Sequence, residues 1–474
     1  MIRFDLNRLS QWTEDAFPPA LLFIMLAGLA MCMPPHNDTW WHLRLGLEMI
    51  KAGRILTTEN LSHTAYGTRL YLNHEWLSEL IFYGLFRIGG ALLLAASGAA
   101  CVTAAIAGAW RLVKGSAEAK IGWLILLFLG TVPEWAIRPQ VISLALFVLA
   151  LHLALSPRGH VRWLPALCLV WANLHGVVVA GVLVAVCVGI EAVLWSRTRV
   201  RQSSLIAAAC VAAPLCTPEG WHYWPRALEV VRWSRALHIQ EYRSAFELAQ
   251  LPFWIAVAAL IALAMRQRVL ANTDRVTRIL VLASVVFAIS GAMSVRNISL
   301  FALTAVPAMS RLMPEATPVR RTRTIGTTEV ILLVMVFVVT IGAVTYAWRD
   351  RGTHLGWVPI SESASNAIRQ CKGPLYNGFA DGGVLTWFVP ERPVFIDSRV
   401  HAYPLDLLQR SHDVDLSGDY AGVFKQFRIG CAAVASDSVM ARLLARDPSM
   451  REQYSDHDWT VFKERLDHKS RSTD

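Results

Sequence analysis

Residues 163–195, "WLPALCLVWANLHGVVVAGVLVAVCVGIEAVLW", are apolar over almost their whole length, and whether they form one helix or two decides the topology of everything after them. One continuous helix would exceed the roughly 20 residues that span a bilayer. It would also put Arg197, Arg199 and Arg201 on the side of the membrane that short cation-rich links avoid. The polar interruption "NLHG" (173–176) divides the stretch into two apolar segments, 163–173 and 176–195, and returns those arginines to the cation-rich side.

The rest of the chain has the same character. Hydrophobic residues make up 54% of it and charged residues 17%, and the apolar runs are separated by short polar links, as in a polytopic membrane protein. Membrane segments are expected at about 17–33, 90–110, 121–133, 139–156, 163–173, 176–195, 204–216, 252–265, 279–293, 298–310 and 329–347, about eleven in all. Those shorter than a lone spanning helix must end in polar-lined cavities or pack against neighbours. The first begins with Pro18-Pro19 and has no small-residue cleavage site, so it reads as a retained signal anchor.

Cations set the orientation. Arg111, Lys114 and Lys120; Arg158 and Arg162; Arg197, Arg199 and Arg201; Arg266, Arg268, Arg275 and Arg278; and Arg311, Arg320, Arg321 and Arg323 fall in alternate links, which are therefore expected to be cytoplasmic. The opposite short links hold two isolated arginines, Arg138 and Arg296. This places the N-terminus inside and everything after Arg349 outside. The expected division is a membrane domain, 1–348, with outer loops 34–89 and 217–251, and an extracytoplasmic domain, 349–474.

That second domain has 16 Lys and Arg against 17 Asp and Glu, a net of −1, so the positive charge of the whole chain, +10, comes from the membrane part, which carries +11. It reflects the inward bias of positive charge, and no basic stripe with interleaved aromatics suggests nucleic acid. Short β-like runs ("PLYNGF", "RPVFIDSR", "CAAVAS", "WTVFKER") alternate there with helical patterns ("ESASNAIRQ", "DYAGVFKQF", "SVMARLLAR"), which suggests a small α/β domain. The last residues, "LDHKSRSTD", lack a core pattern and are expected to fray. Of eight cysteines none stands at zinc spacing. Cys371 and Cys431, alone in the exported domain, are candidates for a disulfide, with pairing and free thiols both open.

The polar motifs collect at the outer ends of the segments: "HNDTWWH" (36–42), "NHEW" (73–76), "PEWAIRPQ" (133–140), "NLHG" (173–176), "TPEGWHYW" (217–224) and "SVRNIS" (294–299). Ionisable groups near membrane depth cost free energy and tend to mark a site, so a shared extracytoplasmic cavity is the economical reading.

"DTWWHLRLGLEMIKAGRILTTENLSHTAYGTRLYLNHEWLSELIFYGLFRIGG" resembles the first extracytoplasmic loop of bacterial polytopic proteins similar to the C-type membrane glycosyltransferases, the class of the protein O-mannosyltransferases and the aminoarabinose transferases of lipid A. "RPQVISLALF", "WANLHGVVVAGV", "VRNISLFALTAVP" and "NGFADGGVLTWFVPERPVFIDSR" extend the likeness over most of the chain. The resemblance implies an all-α polytopic bundle with a small α/β domain, placed in the bacterial inner membrane. It implies a glycosyltransferase, hexosyl or pentosyl, with a polyprenyl-phosphate-linked sugar as donor. The acceptor would be an extracytoplasmic glycan, lipid or protein, and an acidic residue of the first outer loop would lie at the catalytic centre.

Such a transfer needs a carboxylate to take the acceptor's proton and cations to stabilise the departing phosphate. Asp38 is the first candidate base, with helix N-capping as its bland alternative. Glu75, the second catalytic candidate, can orient an acceptor, share a metal with Asp38, or start a helix. Arg138 and Arg296 are the expected phosphate contacts, against the alternative of snorkelling to headgroups. His42, one helical turn after Asp38, is expected to brace it or bind a cation, and His74 and His175 complete the substrate-binding candidates. Trp40, Trp41, Trp76, Trp135, Trp221 and Trp224 read as an interfacial belt or as sugar-stacking faces. Gly382-Gly383 is expected to be a tight turn, and Asp397 with Arg399 a structural pair. No cofactor is certain from the sequence, and a divalent metal is left open.

Two other classes fit parts of this pattern. A lipid-linked sugar transporter would share the cavity and lipid groove but place polar groups on both sides of the membrane. A zinc enzyme would use His36, His42 and His74 with Glu75, but no HExxH spacing is present.

Overall fold

The computed structural model describes residues 17–69, 73–115, 117–266, 273–313 and 327–465. The expectations for the N-terminus, for Arg268, Arg320, Arg321 and Arg323, and for the fraying of 466–474 fall outside the described residues. The chain divides into two compact units. The first comprises Met1–Pro34, Ile88–Tyr223 and His238–Leu355; the second comprises Pro35–Arg87, Trp224–Leu237 and Gly356–Asp474.

In chain order the helices up to Leu355 are α1 (Phe17–Met31), α2 (Asn37–Ala52), α3 (Trp76–Leu112), α4 (Ala117–Thr131), α5 (Pro139–Leu155), α6 (Leu164–Ala172), α7 (Val178–Trp195), α8 (Val200–Ala212), α9 (Tyr223–Ala236), α10 (Leu251–Arg266), α11 (Arg275–Met293), α12 (Ile298–Leu312) and α13 (Thr327–Ala347). Each of the eleven apolar segments is helical. Among the described residues four helices, α3, α7, α11 and α13, are long and apolar enough to cross a membrane, or five if the bent pair Arg197–Cys216 and Gly220–Ala236 is one span. The decisive stretch is broken where its polar interruption lies, between α6 and α7. There the Asn173 side chain donates to the Leu169 carbonyl at 2.8 Å and the His175 amide donates to the Trp171 carbonyl.

The first unit is a bundle of these helices apart from α2, the start of α3 and nearly all of α9, which fall in the second, with Phe147 of α5 against Phe287 of α11 and Phe253 of α10 against Phe301 of α12 in its interior. One charged knot is buried in it. Glu191 of α7, 1% exposed, lies 2.8 Å from Arg278, 3.7 Å from Arg275 and 3.8 Å from Arg199. Helix α3 begins in the second unit and continues in the first; it kinks at Gly89-Gly90, where Gly90 takes φ 62°.

In the second unit, residues 35–87 pack with the C-terminal residues. Helices α14 (Glu362–Arg369), α15 (Gly382–Phe388), α16 (Leu405–Ser417), α17 (Ala421–Phe427) and α18 (Val439–Leu444) accompany a four-stranded sheet of β1 (Leu375–Tyr376), β2 (Cys431–Ala435), β3 (Met450–Ser455) and β4 (Trp459–Glu464). The order is β1-β2-β4-β3, parallel only between β1 and β2. "PLYNGF", "CAAVAS" and "WTVFKER" therefore hold strands, and the three helical patterns hold helices. Cys371 and Cys431 form a disulfide, with Cα atoms 5.8 Å apart.

"RPVFIDSR" is not a strand of that sheet. Its Val394 makes an isolated parallel bridge to Ser62, accepting from the His63 amide and donating to the Leu61 carbonyl, both at 3.0 Å. The alternation read as sheet pairing thus serves a contact with a segment more than 300 residues earlier. Three tryptophans placed in an interfacial belt are core residues, since Trp40, Trp41 and Trp135 are at most 4% exposed. Trp40 meets Trp357 and Phe388 edge-on, with centroids 5.9 and 4.9 Å away. Gly382-Gly383 is not a turn but the start of α15, and its value is close approach. A Cβ on Gly382 would fall 2.0 Å from the Ile396 carbonyl oxygen, and one on Gly383 2.5 Å from that of Asn37.

Beneath these contacts lies an ion triad. Arg399 donates to both Asp397 oxygens, at 2.6 Å from Nη2 and 2.9 Å from Nε at closest, and from Nη2 to Glu59 Oε1 at 3.1 Å. A further ion contact, Nη1 to Glu59 Oε2 at 2.8 Å, lacks hydrogen-bond angles. All three residues are at most 1% exposed. Burial alone would lower the Arg399 pKa, but Asp397 and Glu59 hold it well above the ordinary arginine value. Removing one partner of a buried pair strands the other charge, at about 3–5 kcal/mol. Arg399→Met is expected to destabilise the second unit by that amount, read as a lowered unfolding temperature of the detergent-purified protein and faster proteolysis within 35–87. An unchanged temperature would mean that the triad is not what holds the two segments together.

Candidate active site

The geometry around Asp38 starts with the helix that carries it. The N-cap of α2 is His36, whose Nδ1 accepts from the Asp38 amide at 3.2 Å while Thr39 Oγ1 accepts from the His36 amide at 3.0 Å. The cap is therefore complete without the Asp38 carboxylate, which sits in the first turn and points elsewhere. Its Oδ1 accepts from Ser398 Oγ at 2.5 Å and from the Trp41 indole Nε1 at 3.2 Å. The same indole reaches Ser398 Oγ at 3.0 Å. Oδ2 stands 3.1 Å from His36 Nδ1, and the side chain is 19% exposed. One ring nitrogen thus faces both the Asp38 amide and the Asp38 carboxylate. It accepts from the first when unprotonated and donates to the second when protonated.

His42 does not brace Asp38. It faces Glu79, with Nδ1 3.7 Å from Oε1, and its ring lies on Trp41 with centroids 3.5 Å apart. Burial pushes its pKa well below the ordinary value, partly offset by Asp38. The imidazole is therefore neutral at pH 7. Glu75 stands 3.7 Å from His74 Nε2, both side chains 13% exposed, and its carbonyl accepts from the Glu79 amide at the start of α3. The His74 ring lies 6.2 Å from that of His401. Among the described residues no three His, Cys, Asp or Glu are gathered to hold a metal ion, so His36, His42, His74 and Glu75 do not form the zinc set.

The arginine cluster belongs to the first unit. Arg138 is not isolated: Nη1 lies 2.6 Å from Glu241 and Nη2 3.5 Å from Glu134, so two carboxylates face one guanidinium. Arg296 is bonded to two neutral side chains and also acts electrostatically on Glu134, where with Arg138 it opposes the rise in pKa that burial causes. It donates to Gln140 Oε1 at 2.7 Å and to the Tyr242 hydroxyl, and its guanidinium carbon lies 4.7 Å from the centre of that ring. His175 Nδ1 pairs with Ser143 Oγ at 2.8 Å, and Ser143 in turn accepts from Trp171 Nε1 at 2.8 Å.

Sequence reading missed Ser398, Glu79, Glu134, Gln140, Glu241 and Tyr242. Glu134 and Gln140 stood inside the quoted motif, and the i, i+4 spacing of Glu134 to Arg138 was a usable signal. Ser398 had none, because its partner lies 360 residues away.

No protein-family model matches the chain, and none of the curated protein sequences compared with it does. Solved structures do. ArnT from Cupriavidus metallidurans in the apo state aligns over 94% of this chain and 97% of its own, with a TM-score of 0.50 and 15% identity. Arabinofuranosyltransferase AftD from Mycobacteria aligns over 96% of this chain at a TM-score of 0.51 and 15% identity, and this chain spans 40% of that longer one. At these identities the likeness is one of fold. The resemblance read in the sequence to C-type glycosyltransferases holds at that level.

His401 yields the pH prediction. Burial, with lesser contributions from His74 and Arg399, lowers its pKa from 6.5 to about 3. Between those values the unfolded chain binds a proton that the folded chain does not, so stability falls as pH drops through that window. The slope is up to roughly 1.4 kcal/mol per pH unit for one such histidine. The unfolding temperature is expected to fall from pH 7.5 to pH 5 and to fall less steeply in His401→Asn. Equal slopes would show that His401 does not report on folding.

Proposed function

We propose that the chain is a multi-pass glycosyltransferase of the bacterial inner membrane that moves a sugar from a polyprenyl-phosphate donor to an extracytoplasmic acceptor. The observation that carries this reading is the state of Asp38. The cap it was placed to make is supplied by His36 and Thr39, and its carboxylate is instead fixed by two side-chain donors while remaining partly exposed. A structural acid is spent on a helix end or an ion pair; an oriented, accessible one is suited to accept a proton. The fold shared with ArnT and with the arabinofuranosyltransferase AftD supports the class.

In this reading Asp38 takes the proton of the acceptor hydroxyl as its oxygen bonds to the anomeric carbon. The bond from that carbon to the phosphate oxygen breaks, and the polyprenyl phosphate departs with the electron pair. Glu75, beside His74, is assigned to orienting the acceptor. Arg138 and Arg296 are kept as the candidate phosphate contacts, because a guanidinium offers a fork of donors to phosphate oxygens. His42, neutral and set against Glu79, is assigned to holding α2 on α3.

The Cys371–Cys431 disulfide supports an exported C-terminal domain, because such bonds persist in oxidising compartments. The alternate cation-rich links support the same orientation and about eleven spans. One observation favours the second reading, a lipid-linked sugar transporter: the Glu191 knot puts charged groups at the helix ends opposite the polar motifs. It joins Arg199, between α7 and α8, and Arg275 and Arg278 of α11 to one buried glutamate, which suits bracing of α7 and α11 better than a path for cargo.

Asp38→Asn tests the proposal. It keeps size and hydrogen bonding but removes basicity, and loss of a general base costs roughly 10²- to 10⁴-fold in rate. With polyprenyl phosphomannose and polyprenyl phosphoarabinose as donors and envelope extract as acceptor, the variant is expected to fold and bind donor yet transfer at a rate reduced by that factor. Wild-type transfer by Asp38→Asn would remove Asp38 from the chemistry.

A further inference from the structure

We infer that Ser398 is the positioning residue of Asp38, so that the C-terminal segment is a working part of the candidate active site; this rests on the reading of Asp38 as the base. The two residues are 360 positions apart in the chain, and no local preference brings them together. Ser398 is held from both sides. Before it, Asn377 donates to the Ile396 carbonyl at 2.7 Å and accepts from the Phe395 amide at 2.8 Å. Flanking it directly, Asp397 and Arg399 are locked to one another, and Arg399 also to Glu59, whose Oε1 accepts in addition from the Leu61 and Ser62 amides at 2.7 and 2.8 Å. A serine between two immobilised, fully buried charges has a fixed backbone.

Its hydroxyl is fixed as well. The Trp41 indole N–H is directed at Ser398 Oγ and at Asp38 Oδ1 together, which fills the acceptor side of the hydroxyl and turns its hydrogen toward the carboxylate. Hydroxyl-to-carboxylate bonds are among the stronger neutral-to-charged contacts. With two donors on Oδ1, rotation of the carboxylate about its terminal bond is blocked, and Oδ2 is set 3.1 Å from His36 Nδ1. Of residues 397–399, Ser398 is the one bonded to Asp38, since Asp397 and Arg399 are committed to each other and Arg399 also to Glu59. A general base gains rate from such alignment, and misplacement by about 1 Å costs roughly 10²-fold.

The two donors also stabilise the ionised carboxylate, so removing one makes Asp38 easier to protonate. That separates positioning from packing. Ser398→Ala is expected to lower kcat on the order of 10- to 100-fold, to leave KM for the polyprenyl phosphosugar unchanged, and to move the acidic limb of the rate profile upward by roughly half a pH unit or more. Ser398→Thr, which keeps the hydroxyl, is expected to restore most of the rate and the original limb. Trp41→Phe, which keeps the ring, is expected to shift the limb in the same direction and serves if Ser398→Ala does not fold. A wild-type kcat and acidic limb in folded Ser398→Ala, with Asp38→Asn inactive, overturns the inference and leaves the base intact. Wild-type transfer by Asp38→Asn overturns the underlying reading instead.

Discussion

Glu59 and Asp397 close on one guanidinium, that of Arg399, in a place that water does not reach, and the second unit is organised around that contact. Three charges removed from water gain little net stability over apolar groups of the same shape. What they enforce is a single arrangement, because any other leaves a charge buried without its partner. From the triad follow the bridge between Ser62 and Val394, the clamp of Asn377 on residues 395–396, and the close approach of Gly382 to Ile396. Ser398 inherits its position from its two neighbours, and Asp38 inherits its orientation from Ser398.

This dependence changes how the carboxylates of residues 35–87 are to be understood. Asp38 and Glu59 are both acids in the same stretch, yet Glu59 is sealed and ion-paired while Asp38 is bonded to neutral donors and partly exposed. The contrast is what the proposed function rests on, with Glu59 structural and Asp38 the base of that proposal. The arginines differ as well. Arg138 lies between two glutamates, whereas Arg296 donates to an amide and a phenol, although the two were indistinguishable as lone cations in short links.

Much of the bundle was legible because apolar length is a local signal. Every run counted as a membrane segment is helical, and the break in 163–195 falls at its polar interruption. The same holds for strands such as Cys431–Ala435 and for the Asp397–Arg399 pair, two residues apart. What escaped were the long-range facts. That residues 35–87 pack with 356–474 rests on contacts separated by more than 300 positions, which leave no periodic trace. The alternation of "RPVFIDSR" was real, but its partner was a loop and not a sheet. Trp40 and Trp41 looked interfacial because they follow an apolar run, whereas their rings fill a core with Trp357 and Phe388 or the Ser398 contact.

Transfer and transport differ in one bond, the link from the anomeric carbon to the phosphate oxygen. The most direct measurement follows that bond in proteoliposomes containing purified protein, a polyprenyl phosphosugar labelled separately in its lipid and its sugar, and acceptor extract on the outer side. The account predicts that the labels part: sugar enters the acceptor and free polyprenyl phosphate accumulates in equal amount. Intact, doubly labelled lipid appearing across the bilayer with no free polyprenyl phosphate would contradict it and make the protein a carrier.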